Sequence, residues 1–355
     1  MPSNPQSPSR STLLKKASRY RMLSALLSIL DRYFSWPLPP RPKLEIAIPS
    51  KISKCPGPID LHIFTAPSNP LCPRNQTAQP PPRPVLINFH GGGFSIGHAQ
   101  DDSHWTGAVL KAYPDAVVVS VNYRLAPEHP FPVALQDGVD AILWLWGQAE
   151  KYNLDKTRFG LSGFSAGGNL ALTVPFRLYE ELQTQRWASK GKIDLAGLVA
   201  FYPSVDWTRS LPERDATDPA SEEKSLISPS MFKFFGDSYL HHADLPKLPG
   251  TDRVDMSHPY LSPGLAPGSL LQAAYPPAVA VYTCGLDQLL VEGNTFRERL
   301  GGFVQEGKMA SVGGYMVEEK IHGFDKKPSF WRKNRARDMM YGDAVGQLKV
   351  MWKID

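Results

Sequence analysis

A serine flanked by small residues separates an apolar stretch from a helix-like stretch, in Gly163-Phe164-Ser165-Ala166-Gly167. This spacing is typical of a nucleophile carried on a sharp turn between a strand and a helix, where glycines two positions before and after permit close backbone approach. The N-terminus of the following helix favours negative charge beside the serine. The pattern therefore predicts that Ser165 is a nucleophile for acyl transfer.

A serine hydroxyl becomes a useful nucleophile only when a base removes its proton and an acid orients that base. Where a serine lies on such a turn, the acid and then the histidine follow it along the chain. Asp287 follows the apolar run 278–284, and His322 is the only one of the nine histidines beyond Asp287. We predict a triad of Ser165, Asp287 and His322. The alternatives are a helix N-cap for Asp287 and a surface turn for His322.

A cluster of glycines follows another apolar run, in His90-Gly91-Gly92-Gly93-Phe94. Consecutive glycines expose backbone N–H groups that can stabilise the negative oxygen of an acyl-transfer transition state. A second donor is expected from the residue after the nucleophile, Ala166. A plain glycine turn or a phosphate loop are the alternatives, but a phosphate loop would require a lysine that is absent here. His90 precedes the serine, so we interpret it as a structural hydrogen-bonding residue.

The elements that must position these residues alternate along the chain. Apolar runs predict strands at 59–65 (a candidate edge strand), 84–90, 116–123, 158–164, 195–202, 278–284 and about 315–321, and helices at about 133–151, directly after Ser165, and at about 331–351. Strands that alternate with helices form a mostly parallel sheet with helices on both faces, which is the α/β class. Catalytic side chains then gather at the carboxyl ends of the strands.

Two further segments complete the predicted organisation. Residues 1–45 form an N-terminal helical segment, and residues 46–355 form the catalytic domain with an aromatic-rich cap insertion at about 204–262. At helical spacing, one apolar face of the first segment contains Leu13, Ala17, Tyr20, Leu23, Leu27, Leu30 and Phe34. We expect this face to dock on the body of the protein, with a membrane surface as the alternative, because its apolar core is too short to span a bilayer.

The composition is that of an ordinary globular protein, with 355 residues, 42% hydrophobic and 21% charged. The formal charge of +5 is mild, and no nucleic-acid reading module accompanies it, so we expect no nucleic-acid partner. The three widely spaced cysteines, Cys55, Cys72 and Cys284, form neither a disulfide framework nor a metal-binding pattern. We therefore expect no metal and a cytoplasmic location, with peripheral membrane contact as the alternative. The composition leaves the oligomeric state open.

Together these motifs resemble the hormone-sensitive-lipase-like branch of the α/β hydrolases, over about residues 83 to 325. The marks are the loop 90–94, the stretch Asn122-Tyr123-Arg124-Leu125-Ala126-Pro127-Glu128, Phe131-Pro132, the turn 163–169, Asp287 and His322-Gly323-Phe324. The resemblance implies an α/β-hydrolase fold with an eight-stranded sheet, a helical cap, and ester hydrolysis without a cofactor. It also implies that the N–H groups of Gly91, Gly92 and Ala166 form the oxyanion hole.

One position departs from the family pattern, because Phe164 stands where many members have Asp. We take Phe164 and Phe94 as candidates for substrate contact. The expected function is hydrolysis of carboxylic esters of hydrophobic, small to medium substrates through an acyl-enzyme on Ser165. The alternatives are a tailoring hydrolase or acyltransferase for a natural-product ester or lactone and, less favoured, a non-catalytic ligand-binding homologue.

Overall fold

The computed structural model describes residues 8–69, 80–187, 193–217, 227–241, 254–328 and 333–354. In these ranges the strands are β1 Leu44–Pro49, β2 Pro58–Thr65, β3 Arg83–Phe89, β4 Val117–Asn122, β5 Leu154–Phe164, β6 Leu195–Phe201, β7 Ala278–Leu286, β8 Ser311–Gly313 and β9 Met316–Ile321. The helices are α1 Arg10–Phe34, α2 Ser103–Ala112, α3 Val133–Gly147, α4 Ala166–Leu182, α5 Leu211–Thr217, α6 Pro229–Tyr239, α7 Gly268–Ala274, α8 Leu290–Gln305 and α9 Arg335–Trp352.

One sheet organises the fold, with strand order β1-β2-β4-β3-β5-β6-β7-β8. The pairs β1–β2 and β2–β4 are antiparallel, and the remaining pairs are parallel. Strands β8 and β9 pair with successive halves of β7 and so share the eighth position. Between them Gly314 has φ 87°, and a Cβ there would lie 2.2 Å from the Val281 carbonyl oxygen. The expected mostly parallel sheet of eight positions is confirmed.

Helices cover both faces of this sheet, because successive side chains of a buried strand point to opposite sides. Ile87 and Val119 belong to the apolar cluster under α3 and α4. Their chain neighbours, Leu86 and Val118, belong to a second cluster under α2 and α9. The continuous apolar runs seen in the sequence are therefore strands buried on both faces.

The prediction of β2 as an edge strand is wrong, because all six residues of β1 pair with residues 58–63 of β2. Strand β1, whose side chains are mostly exposed, and helices α2 and α8 were not predicted from the sequence. Of the expected cap insertion, α5 and α6 are described, whereas residues 218–226 and 242–253 lie outside the described residues.

The N-terminal helix α1 docks on the cap, but along only part of its length. Leu13 and Ala17 are buried against Phe234 and Phe235 of α6 and against Ile96. In the second half of the helix, three members of the expected docking face are exposed: Leu23, Leu27 and Phe34. The expectation of one continuous docked face is therefore wrong for that half. No helix in the described residues is both long and apolar enough to cross a membrane.

Candidate active site

The turn between β5 and α4 presents Ser165 at the carboxyl edge of the sheet. Ser165 has φ 54° and ψ −115°, a strained conformation for a residue with a side chain, and its N–H donates to the Phe201 carbonyl at 2.9 Å. A Cβ at Gly163 would lie 2.1 Å from the Gly167 carbonyl oxygen, and one at Gly167 would lie 2.0 Å from that of Phe89. The turn can form only because both positions are glycine.

The carboxyl ends of β7 and β9 bring two further side chains to Ser165. His322 Nε2 lies 2.8 Å from Ser165 Oγ, and His322 Nδ1 lies 2.8 Å from Asp287 Oδ2. The other carboxylate oxygen of Asp287 accepts the N–H of Leu289 at 3.0 Å. Both Asp287 and His322 are buried. The structure thus places the three predicted triad residues in one hydrogen-bonded series, the arrangement that a nucleophile, its base and an orienting carboxylate require.

The glycine loop after β3 lies against this turn. A Cβ at Gly91 would lie 3.6 Å from the Ser165 Cβ. Gly92 has φ 110°, and a Cβ there would lie 2.2 Å from the carbonyl oxygen of Ile96. Gly91 and Gly92 border one cavity beside Ser165, and Ala166 borders the adjoining cavity. The three residues predicted as oxyanion donors therefore border the cavities that meet at Ser165.

His90, at the start of that loop, is part of the framework and not of the triad. Its Nδ1 donates to the Gly91 carbonyl at 2.7 Å, and its ring stacks on Tyr123 with centroids 4.2 Å apart. The Tyr123 hydroxyl donates to the His90 carbonyl at 2.7 Å. Burial lowers the pKa of His90 to about 4, so the imidazole is neutral at neutral pH.

Two cavities meet at the serine. The cap-side lobe has a volume of about 580 Å³, and its apolar wall includes Trp207, Phe232, Leu240, Met256 and Leu289. The α1-side lobe has a volume of about 540 Å³, and its apolar wall includes Tyr20, Leu23, Leu27, Ile96 and Met231. Ser165 and His322 border both lobes. An ester whose carbonyl lies at Ser165 can therefore place one half in each lobe.

The two candidate substrate-contact residues occupy different positions. Phe94 borders the cap-side lobe, has φ 59°, and stacks on Tyr239 with centroids 3.7 Å apart. Phe164 borders the α1-side lobe, but its ring is fully buried and stacks on Phe201 at 4.3 Å. Contact between either residue and substrate stays a prediction.

A charge network that the sequence did not predict lies beside the triad, with its two carboxylates buried. Lys326 Nζ lies 2.6 Å from Asp102 Oδ1 and 3.3 Å from Asp325 Oδ2. The hydroxyls of Tyr202 and Tyr341 each donate to Asp325 at 2.6 Å. Burial alone would raise the pKa of Asp325, but the Lys326 ammonium and these hydroxyls hold it below its usual value.

This network contacts the base through one ring, because Tyr202 packs edge-on against His322 with centroids 4.8 Å apart. Asp102 also accepts from the Asn88 amide at 2.7 Å, which joins the network to β3. One sequence signal was available, since Asp325 and Lys326 follow His322 by three and four residues. Two of their partners, Asp102 and Tyr202, lie more than 100 residues away in the chain, so spacing could not reveal these pairings.

The sheet is mostly parallel, a strained turn carries the serine, and the carboxylate and the histidine follow β7 and β9. These features define the class of serine hydrolases. A model of the family described as alpha/beta hydrolase fold matches residues 86–326, and this chain belongs to that family. The resemblance to the hormone-sensitive-lipase-like branch is confirmed by the relatives.

The relatives narrow the class to ester hydrolysis. Esterase LipI of Mycobacterium tuberculosis is 32% identical over 250 residues, which cover 67% of this chain and 71% of LipI. Carboxylesterase NlhH of the same organism is 31% identical over 220 residues, 61% of this chain and 60% of NlhH. A solved esterase structure from Pyrobaculum calidifontis shares the fold, with a TM-score of 0.70 at 23% identity, covering 96% of this chain and 93% of that one. The chain is a serine ester hydrolase.

Proposed function

We propose that this chain hydrolyses carboxylic esters of hydrophobic, small to medium substrates through an acyl-enzyme on Ser165. The observation that carries the proposal is the hydrogen-bonded series Ser165–His322–Asp287 at the junction of two apolar lobes. Concave, mostly apolar cavities of this size with a few polar groups are typical of small-molecule sites.

Acylation follows from the hydrogen bonds. Ser165 Oγ attacks the ester carbonyl carbon while His322 Nε2 takes its proton. The His322 Nδ1–H donates to Asp287, which holds the ring in the required tautomer and stabilises the imidazolium. The carbonyl oxygen becomes negative and is stabilised by the N–H groups of Gly91, Gly92 and Ala166.

The same groups complete the turnover. The imidazolium returns its proton to the leaving alkoxide, and the alcohol departs to leave an acyl-enzyme on Ser165. Water then attacks the acyl carbon while His322 acts again as base, which releases the carboxylic acid and restores the serine. The buried Asp287 keeps its second oxygen on the Leu289 N–H throughout, so the carboxylate stays oriented.

The lobes have room for the proposed substrates. Volumes of about 580 and 540 Å³ accommodate short and medium acyl and alcohol groups. The linings are mainly apolar, so hydrophobic groups gain most from leaving water.

A p-nitrophenyl ester chain-length series tests the proposal, run in parallel on the wild type and on Ser165→Ala. We expect turnover of short and medium esters by the wild type, none above background by the variant, and fluorophosphonate labelling of Ser165 only. Equal or better activity on long triglycerides would contradict the substrate class. Failure of the probe to label Ser165 would favour a ligand-binding role, and ester products formed with added alcohols would favour acyl transfer.

We further infer a cytoplasmic location. Among the described residues, the exposed Cys55 and the buried Cys284 form no disulfide, which is usual in a reducing compartment. Fractionation of cells that express the full chain tests this location.

A further inference from the structure

The outward face of α1 is apolar in its second half. Met22, Leu26, Ile29 and Tyr33 recur at helical spacing and are 73%, 53%, 49% and 55% exposed. Five more large apolar side chains nearby are also exposed: Leu23, Leu27, Phe34, Trp36 and Leu38. Contiguous apolar patches of this kind on a protein surface mark an interaction site.

An ordinary docked helix turns its apolar side to the protein, whereas this half of α1 turns polar residues to the protein and exposes apolar ones. Its polar residues face the protein: Arg21 donates to Glu128 at 2.7 Å, and Ser28 donates to Asp101 at 2.8 Å. These contacts fix the rotation of the helix about its axis. Because polar groups hold α1 to the body, its apolar stripe remains on the outside, available for another apolar medium.

The charges on α1 favour a lipid surface over a second copy of the chain. Lys15, Lys16 and Arg19 are exposed, and Lys15 and Arg19 continue the outward stripe towards the N-terminus. The only acidic residue of α1 is Asp31, which faces inward and hydrogen-bonds His104 at 3.2 Å. The outward face therefore offers no carboxylate to a second copy's lysines, whereas anionic lipid headgroups would complement them.

This surface is continuous with the active site. Leu23 and Leu27, both partly exposed, also line the α1-side lobe that reaches Ser165 and His322. We infer that the outward face of α1 binds anionic lipid surfaces and that the α1-side lobe is the entrance for hydrophobic esters dissolved in them. The entrance role rests on the proposed ester hydrolysis, whereas the binding role does not.

Vesicle sedimentation tests the binding, with full-length Ser165→Ala protein so that catalysis plays no part. The probes are phosphatidylcholine vesicles with and without phosphatidylserine. The test variant adds Met22→Ser, Leu26→Ser, Ile29→Ser and Tyr33→Ser, none of which borders the cavities. We expect at least roughly tenfold weaker binding to the anionic vesicles. Phosphatidylcholine alone should bind the parent protein more weakly, by about fivefold for each basic residue engaged.

A matched control replaces two exposed apolar side chains of α9, Met339→Ser and Val350→Ser, which are 70% and 59% exposed. This control should bind vesicles like the parent protein. Equal binding by parent and test variant, or no binding by the parent, would overturn the inference. So would a parent dimer that dissociates in the test variant without any vesicle binding.

The entrance role is tested with Ser165 intact. The four α1 substitutions should leave turnover of a soluble short ester unchanged and lower turnover of a vesicle-dissolved ester roughly tenfold. Equal turnover of the vesicle-dissolved ester would overturn the entrance role. Absence of all ester turnover in the wild type would instead contradict the proposed function, and the sedimentation result would still stand.

Discussion

The ammonium group of Lys326 lies 3.2 Å from the centre of the ring of Phe164, the residue directly before Ser165. An aromatic face attracts a cation, so Phe164, the residue that departs from the family pattern, has a specific partner. The same ammonium pairs with Asp102 and Asp325. These contacts tie the strand that carries Ser165 to the segment that carries His322.

Replacing this cation should therefore destabilise the fold. Lys326→Met would leave Asp102 and Asp325 buried without their counter-charge, and we expect the free energy of unfolding to fall by about 3–5 kcal/mol. Urea denaturation measures the change. The neighbouring Lys327 is exposed, so Lys327→Met is the matched control and should change stability little. Similar losses in both variants would contradict a specific role for the network.

The carboxylate of the triad should act through the imidazole alone. Asp287→Asn removes the charge that stabilises the His322 imidazolium and permits the wrong tautomer, so kcat should fall roughly 10⁴-fold with little change in KM. Steady-state kinetics on a soluble ester give both parameters. Asp60→Asn, at an exposed position on β2, should retain wild-type kinetics. A loss confined to KM would show that Asp287 has another role.

The glycine loop should tolerate no side chain at its second glycine. Gly92→Ala would place a Cβ 2.2 Å from the Ile96 carbonyl oxygen at a φ of 110°, so the loop must move. Misplacing one oxyanion donor should lower kcat roughly 10²- to 10³-fold. For the control Gly301→Ala in α8, no described atom outside the local helix backbone lies within 4 Å of the new Cβ, and kcat should not change. Equal rates for both variants would exclude Gly92 from the oxyanion hole.

His90 should make unfolding depend on pH. Its pKa in the folded protein is about 4, below the usual 6.5, because burial disfavours the charged ring. The folded state therefore binds this proton less tightly than the unfolded state. The contribution to stability is present above pH 6.5 and is lost as the pH falls towards 4, by about 3 kcal/mol in total.

Urea denaturation between pH 4 and 7 measures this contribution in the wild type and in His90→Gln, whose amide does not titrate. The difference in unfolding free energy between the two proteins should shrink as the pH falls. Parallel curves would show that His90 titrates alike in the folded and unfolded states.

The chemistry of this protein could be predicted from the sequence because its determinants are local. The turn around Ser165 needs glycines at fixed spacing, and the loop at Gly91 and Gly92 needs backbone without side chains. Parallel topology then brings strand ends together, so chain order was sufficient to pair Asp287 with His322. The short strand β1 was missed, because an exposed strand lacks a continuous apolar run.

Only the tertiary structure decided which partners distant residues meet. Nothing near Phe164 in the chain reveals the Lys326 ammonium above its ring, because the two residues are 162 positions apart in the sequence. Periodicity predicted the face of α1 that contains Leu13 and Ala17, but not the second apolar stripe of Met22, Leu26, Ile29 and Tyr33 that points outward. The direction depends on side-chain contacts such as Arg21 with Glu128, which turn the polar side of the helix towards the protein and its apolar side outward.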